Sequence, residues 1–156
     1  MALIIFDQPF AGGVAGGYPI ADSTSRSQTK SLSYGVRGRD PTNGNEYVYV
    51  KAGATIPVNT PVFANADLAD VRATSAAQQM ILGVADTAFA SGDNGWLLNR
   101  GSGICKVVGG TAVNSLLVTG AVAATLELAD ATDFASARPV VQLTAEAGGL
   151  ATVRLM

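Results

Sequence analysis

The sequence predicts an all-β protein, a compact β-barrel or β-sandwich with an extended N-terminal arm. Short runs rich in Val, Ile, Leu and Tyr recur along the chain. Turns containing Gly, Asn or Pro separate them at short intervals, the pattern of a many-stranded barrel or sandwich. Residues 1–29 break that pattern, with Pro9, Gly12, Gly13, Gly16, Gly17 and Pro19 leaving neither a helical nor a strand period. The division expected is therefore an arm over 1–29 and a β domain over 30–156.

The arm is not composed like a plain linker. It carries Phe6, Phe10, Tyr18 and Ile20, bulky apolar residues that a disordered linker tends to lack. The expectation is an extended segment that docks these side chains on a partner; the alternative is a flexible tail with a short first strand at 3–6. From residue 30 the chain alternates, with Leu32, Tyr34 and Val36 on one face as far as Arg37. Asn43-Gly44 marks a hairpin turn. Glu46-Tyr47-Val48-Tyr49-Val50-Lys51 follows, aromatic and β-branched throughout. Pro57 and Pro61 place residues 55–63 at a sheet edge or in an irregular connection.

Residues 64–79 are Ala-rich and read either as a helix or as a short strand and a turn. Met80 to Ala85 is a buried-strand run. Gly92 to Gly95 turns into Trp96 to Arg100, and Gly101-Ser102-Gly103 is expected to turn again into Ile104 to Val108. Further strands are expected within 115–118, 121–128, 140–143 and 151–155.

Composition excludes much chemistry. The chain has 156 residues, no His and one Cys. No Ser-His-Asp triad, Cys-His zinc site or intrachain disulfide can be built from it. Cys105 lies in an apolar run and reads as a small buried hydrophobe. Charged residues make up only 14%, against about 25% in an average domain. The net charge of -2 gives no general affinity for nucleic acid. No apolar run approaches the ~20 residues of a spanning helix, and the apolar start at Met1 to Phe6 lacks the basic flank of a signal peptide. The charges are unevenly placed: Arg26, Lys30, Arg37 and Arg39 fall in a stretch without acids, whereas acids dominate the later chain. Such a basic segment beside an acidic body suits docking, although each residue taken singly also suits a solvated loop.

Several motifs invite a catalytic reading and fall short of it. Asp86-Thr87-Ala88, after an apolar strand, resembles the active-site turn of aspartic proteases, in which two carboxylates share a proton. A homodimer would have to supply the second Asp, and Ala88 replaces the usual Gly. A turn Asp is the ordinary alternative. Gly101-Ser102-Gly103 lacks the Lys-Ser/Thr of a phosphate loop. Asp130 and Asp133 lack the alternating ligands of a calcium loop. No catalytic, cofactor-binding or metal-ligating residue is therefore assigned. Trp96, the single tryptophan, reads as a packing anchor or the rim of a subunit contact.

Three stretches, in order, carry a resemblance. They are Glu46 to Gly53 continuing to Thr60-Pro61-Val62-Phe63, then Ile81-Leu82-Gly83-Val84-Ala85, then Gly95-Trp96-Leu97-Leu98-Asn99-Arg100-Gly101 with Ile104 to Val108. With the Leu32–Val36 segment before the Asn43-Gly44 turn, this order resembles the small β-rich decoration, or cement, proteins of tailed-bacteriophage heads. The likeness covers about residues 30–128. It implies a non-enzymatic virion protein, often a homotrimer, made in the host cytoplasm. Such a protein sits on the outer face of the capsid and clamps adjacent major capsid subunits, with no cofactor, nucleic acid or membrane as partner. The candidate interface residues are Phe6, Phe10, Tyr18, Arg26, Lys30, Arg37 and Arg39, chosen from the composition of the arm and the basic run. An extracellular or fibre-type recognition module for a glycan or receptor is the second reading, and it expects exposed Trp96 or Tyr residues. A dimeric aspartic-type hydrolase built on Asp86 is the third.

Overall fold

Two strands form the spine of the molecule because their sequences leave no polar face. β5 (Glu46–Lys51) pairs antiparallel with the first half of β9 (Asn94–Lys106), setting Tyr47 opposite Leu98, Val48 opposite Leu97 and Tyr49 opposite Trp96. Directly opposed residues share a face. One face thus presents Tyr47, Tyr49, Trp96 and Leu98, and the other presents Val48, Val50 and Leu97. All seven are buried. A strand without alternation is what burial on both faces requires.

The computed structural model describes residues 2–5, 19–30, 32–75, 79–129 and 140–156, and the described residues contain strands and turns but no helix. The remaining strands are β1 (Ala2–Ile5), β2 (Pro19–Asp22), β3 (Arg26–Ser27), β4 (Arg37–Arg39), β6 (Thr60–Ala64), β7 (Val71–Ala73), β8 (Gly83–Ala85), β10 (Leu116–Thr119), β11 (Leu126–Leu128), β12 (Val140–Gln142) and β13 (Leu150–Leu155). They join one sheet in the order β11-β10-β12-β13-β9-β5-β4-β1-β2, with β3 and β8 also on β9, and with β6 between β8 and β7. Every strand pair is antiparallel.

The sheet curls into half-barrels. A parallel bridge from Ala52 to Val71 brings β7 back to the end of β5, and another from Val107 to Leu126 brings β11 back to the end of β9. Each curl holds a core. Val48, Val50, Ile56, Val62, Val71, Ala85, Phe89 and Leu97 belong to one. Tyr47, Tyr49, Val84, Trp96, Leu98, Cys105, Leu117, Leu126, Val153 and Leu155 belong to the other. Trp96 is an interior anchor, 1% exposed, with its ring edge-on to Tyr49 at 5.4 Å.

Local departures from the expected elements have physical causes. Gly101-Ser102-Gly103 is no turn, since β9 runs unbroken through it. Gly101, at φ 109°, takes up the local irregularity beside the register shift instead. The 30–37 segment forms regular strand only from Arg37, because Gly35 at φ 90° turns the chain just before. Residues 64–75 resolve into the end of β6, a turn and β7, with Asn65 and Arg72 bonded to Asp70 across that turn. Pro61 sits in an inner strand rather than at an edge. Its missing N–H falls where the β6–β7 ladder stops, at Val62, while its carbonyl still accepts from the Thr74 N–H at 3.0 Å.

Candidate functional site

The sheet register gathers basic side chains on one surface. β4 is exposed at Arg37 and Arg39 and buried at Gly38 between them. Arg39 lies opposite Glu46 on β5, and Glu46 lies opposite Arg100 on β9. The three side chains therefore share a face across three adjacent strands.

Arg100 reaches that face through a bulge. From Trp96 to Leu98 the β5–β9 register is regular, but Tyr47 opposes Leu98 while Glu46 opposes Arg100, so Asn99 is an extra residue. In an unbulged register Asn99 would oppose Glu46, and Arg100 would follow Trp96 and Leu98 into the core, because strand side chains alternate with period two. The Asn99 side chain donates to the Leu82 carbonyl at 2.6 Å. Asn45 clamps the next turn of backbone, accepting from the Ser102 N–H at 3.0 Å and donating to the Ser102 carbonyl at 2.9 Å. A Cβ at Gly101 would collide with that Asn45 side chain, so this position requires glycine on space as well as on φ.

On β13, Arg154 alternates with buried Val153 and Leu155 and is exposed. Arg39, Arg100 and Arg154 line a shallow groove of about 610 Å³ with Gly44, Glu46 and Met156. The two ion pairs defined among the described residues, Arg26–Asp86 and Arg72–Asp70, involve none of these arginines. Three arginine side chains against the single Glu46 side chain give the groove lining a basic excess, and each guanidinium offers a planar fork that matches a carboxylate or phosphate.

The sequence-selected residues separate in space. Arg37 and Arg39 stand on the basic face. Lys30 is exposed, with its ammonium 4.3 Å from the Tyr34 ring centre. Arg26 turns inward, its side chain 10% exposed. It donates to the carbonyls of Ser23 at 2.9 Å, Ser25 at 3.0 Å and Thr87 at 3.2 Å, and its guanidinium lies 3.9 Å over the Phe89 ring. Phe6, Phe10 and Tyr18 lie outside the described residues, as do Asp130 and Asp133. Arg100 and Arg154 were not legible as site residues. They sit at strand positions far from the basic run and join it only through the register.

Asp86 is the partner of Arg26, at 3.7 Å. Burial pushes its carboxyl above the usual range, while Arg26 and a hydrogen bond from Tyr47 pull it back. Burial, followed by the Asp86 charge, pushes the Tyr47 phenol up to about 12. An aspartic dyad needs a second carboxylate beside the first. Here the neighbours acting on Asp86 are a guanidinium and a phenol, a set that fixes the segment before β3 onto the turn after β8. Trp96, buried in the core, offers no platform for a sugar. No protein-family model matches the chain, and no curated protein matches it.

Proposed function

We propose that this chain is a non-enzymatic virion structural protein that binds the outer surface of a phage capsid and cements adjacent major capsid subunits. The observation that carries the reading is the outward basic face on a β scaffold, with Arg37 and Arg39 of β4, Arg100 of β9 and Arg154 of β13 all exposed on one sheet. The ordered motifs that resemble decoration proteins support it, as does a composition without histidine. Those motifs supply β5, β6, β8 and β9, the framework that holds the face in place.

On this reading the protein assembles as a homotrimer on the virion surface, and its partners are the major capsid protein and other copies of itself. A ligand that binds only the assembled shell stabilises it by mass action. Weak contacts repeated over a lattice become collectively strong. The test is co-sedimentation of purified protein with expanded capsids of the phage that encodes it. Saturable binding that is lost on R37E/R39E is expected. Absence of binding to the mature capsid overturns the proposal.

A further inference from the structure

We propose that the groove bounded by Arg39, Arg100 and Arg154 is a docking site for an acidic peptide segment of a partner protein. The proposal rests on the preceding reading only in taking this face as the docking side. Its chemistry follows from the groove itself.

The three arginines approach the groove from β4, β9 and β13, with Glu46 of β5 between Arg39 and Arg100. Neighbouring strands lie about 4.8 Å apart, so the Arg39 and Arg100 backbones are separated by roughly 10 Å. An extended peptide advances about 3.3 Å per residue and alternates its side chains, so carboxylates two or four residues apart share a face and span about 7–13 Å, which brackets that distance. The guanidinium forks then meet carboxylates one to one, and Glu46 faces the residues between them.

The same geometry disfavours a nucleic-acid strand. A phosphate backbone carries charge at every nucleotide and would run its charge across Glu46. The groove lining contains no Phe, Tyr or Trp on which bases could stack. Outside the groove the chain is acidic: the totals of 12 Asp and Glu and 10 Lys and Arg, less Glu46 and the three groove arginines, leave 11 acids against 7 bases. The Asn99 bulge strengthens the assignment, since it moves a charged side chain out of the core direction and into the groove.

The assay is fluorescence-anisotropy titration of labelled hexaglutamate with the intact protein at low ionic strength, beside labelled hexalysine and a thymidine oligonucleotide. Hexaglutamate binding is expected to weaken at least tenfold in R100E/R154E and to tighten several-fold in E46Q. It is also expected to weaken as ionic strength rises from about 0.05 to 0.5 M. R72E, which changes an arginine outside the groove, should bind like the parent. Circular dichroism of each variant confirms the fold. The proposal is overturned if hexaglutamate does not bind at low salt, if R100E/R154E and E46Q both bind like the parent, or if the oligonucleotide binds more tightly than hexaglutamate. No capsid enters the assay, so peptide binding without capsid binding removes the virion role and leaves the groove assignment standing. Capsid binding without peptide binding does the reverse.

Discussion

Replacing Arg26 by Ala removes the centre of a small buried network. The guanidinium holds three backbone carbonyls, pairs with Asp86 at 3.7 Å and lies 3.9 Å over Phe89. Removing one partner of a buried pair costs about 3–5 kcal/mol, mostly because the other charge is stranded. The Asp86 side chain keeps 27% exposure and can take up a proton, which favours the lower end. The expected loss is about 3 kcal/mol at neutral pH, or roughly 6–12 °C in Tm for a chain of this size. The loss depends on pH in a definite direction. Burial raises the Asp86 carboxyl and Arg26 opposes the rise, so R26A lets it climb further. A carboxyl whose folded pKa lies above its unfolded value adds stability below the unfolded pKa and loses it as pH rises through the folded value. The deficit of R26A against the parent should therefore be smaller near pH 4 than near pH 8. R26M/D86L, which removes both charges and keeps apolar volume, should recover most of the loss. Urea denaturation of the parent, R26A and R26M/D86L at both pH values measures this. A loss in R26A below about 0.5 kcal/mol, the range of neutral surface changes, would refute the reasoning, and so would an equal loss at the two pH values.

Three further outcomes follow from packing. A Cβ at Gly83 would collide with the Leu98 carbonyl oxygen of the facing strand, which has no side-chain freedom to yield; G83A should lose about 2–3 kcal/mol, read from the urea midpoint. The Cys105 thiol is fully buried and pushed up to about 12 by that burial. A thiol-disulfide reagent at mildly alkaline pH should leave it unlabelled in the native protein and label one equivalent after guanidinium unfolding. N45A removes both side-chain bonds to Ser102. It should cost about 1–3 kcal/mol and also weaken hexaglutamate binding, because the clamp holds the backbone that aims Arg100; unchanged binding at lowered stability would separate the clamp from the groove.

The fold class and the strongest strands were legible because burial writes itself into residue type. Glu46 to Lys51 is rich in aromatic and β-branched residues and is strand throughout. Of the Met80 to Ala85 run only Gly83–Ala85 forms strand, and Met80 is 67% exposed rather than buried. The glycine pair at Gly101 and Gly103 points to a turn in sequence because a glycine pair between apolar runs has the same composition in a hairpin and in a bulged continuous strand. Only the partner decides between them, and Asn45, 57 residues from Ser102, is that partner. The candidate groove was half legible for the same reason. Arg37 and Arg39 announce themselves as a local basic run, whereas Arg100 and Arg154 are brought to them by strand pairing and by a one-residue bulge that no local pattern specifies. Arg26 shows the opposite error of scale. It belongs to the basic run by sequence, yet the nearby carbonyls and the Phe89 ring draw it inside.

The length of β9 has a consequence for the order in which the chain can acquire structure. Its partners are β3, β5 and β8, which precede it, and β13, which ends one residue before the last. During synthesis, the first half of the chain emerges with Val48, Val50 and Val62 unable to close their curl until residues near 94–100 are available. The second curl then waits for residues 150–155. Such non-local closure makes for slow folding, and an interrupted chain exposes apolar strand edges at each stage. A product truncated before Leu150 therefore keeps the register of the first curl but leaves Ile104, Cys105 and Lys106 without their strand partner, a ready template for pairing with another copy.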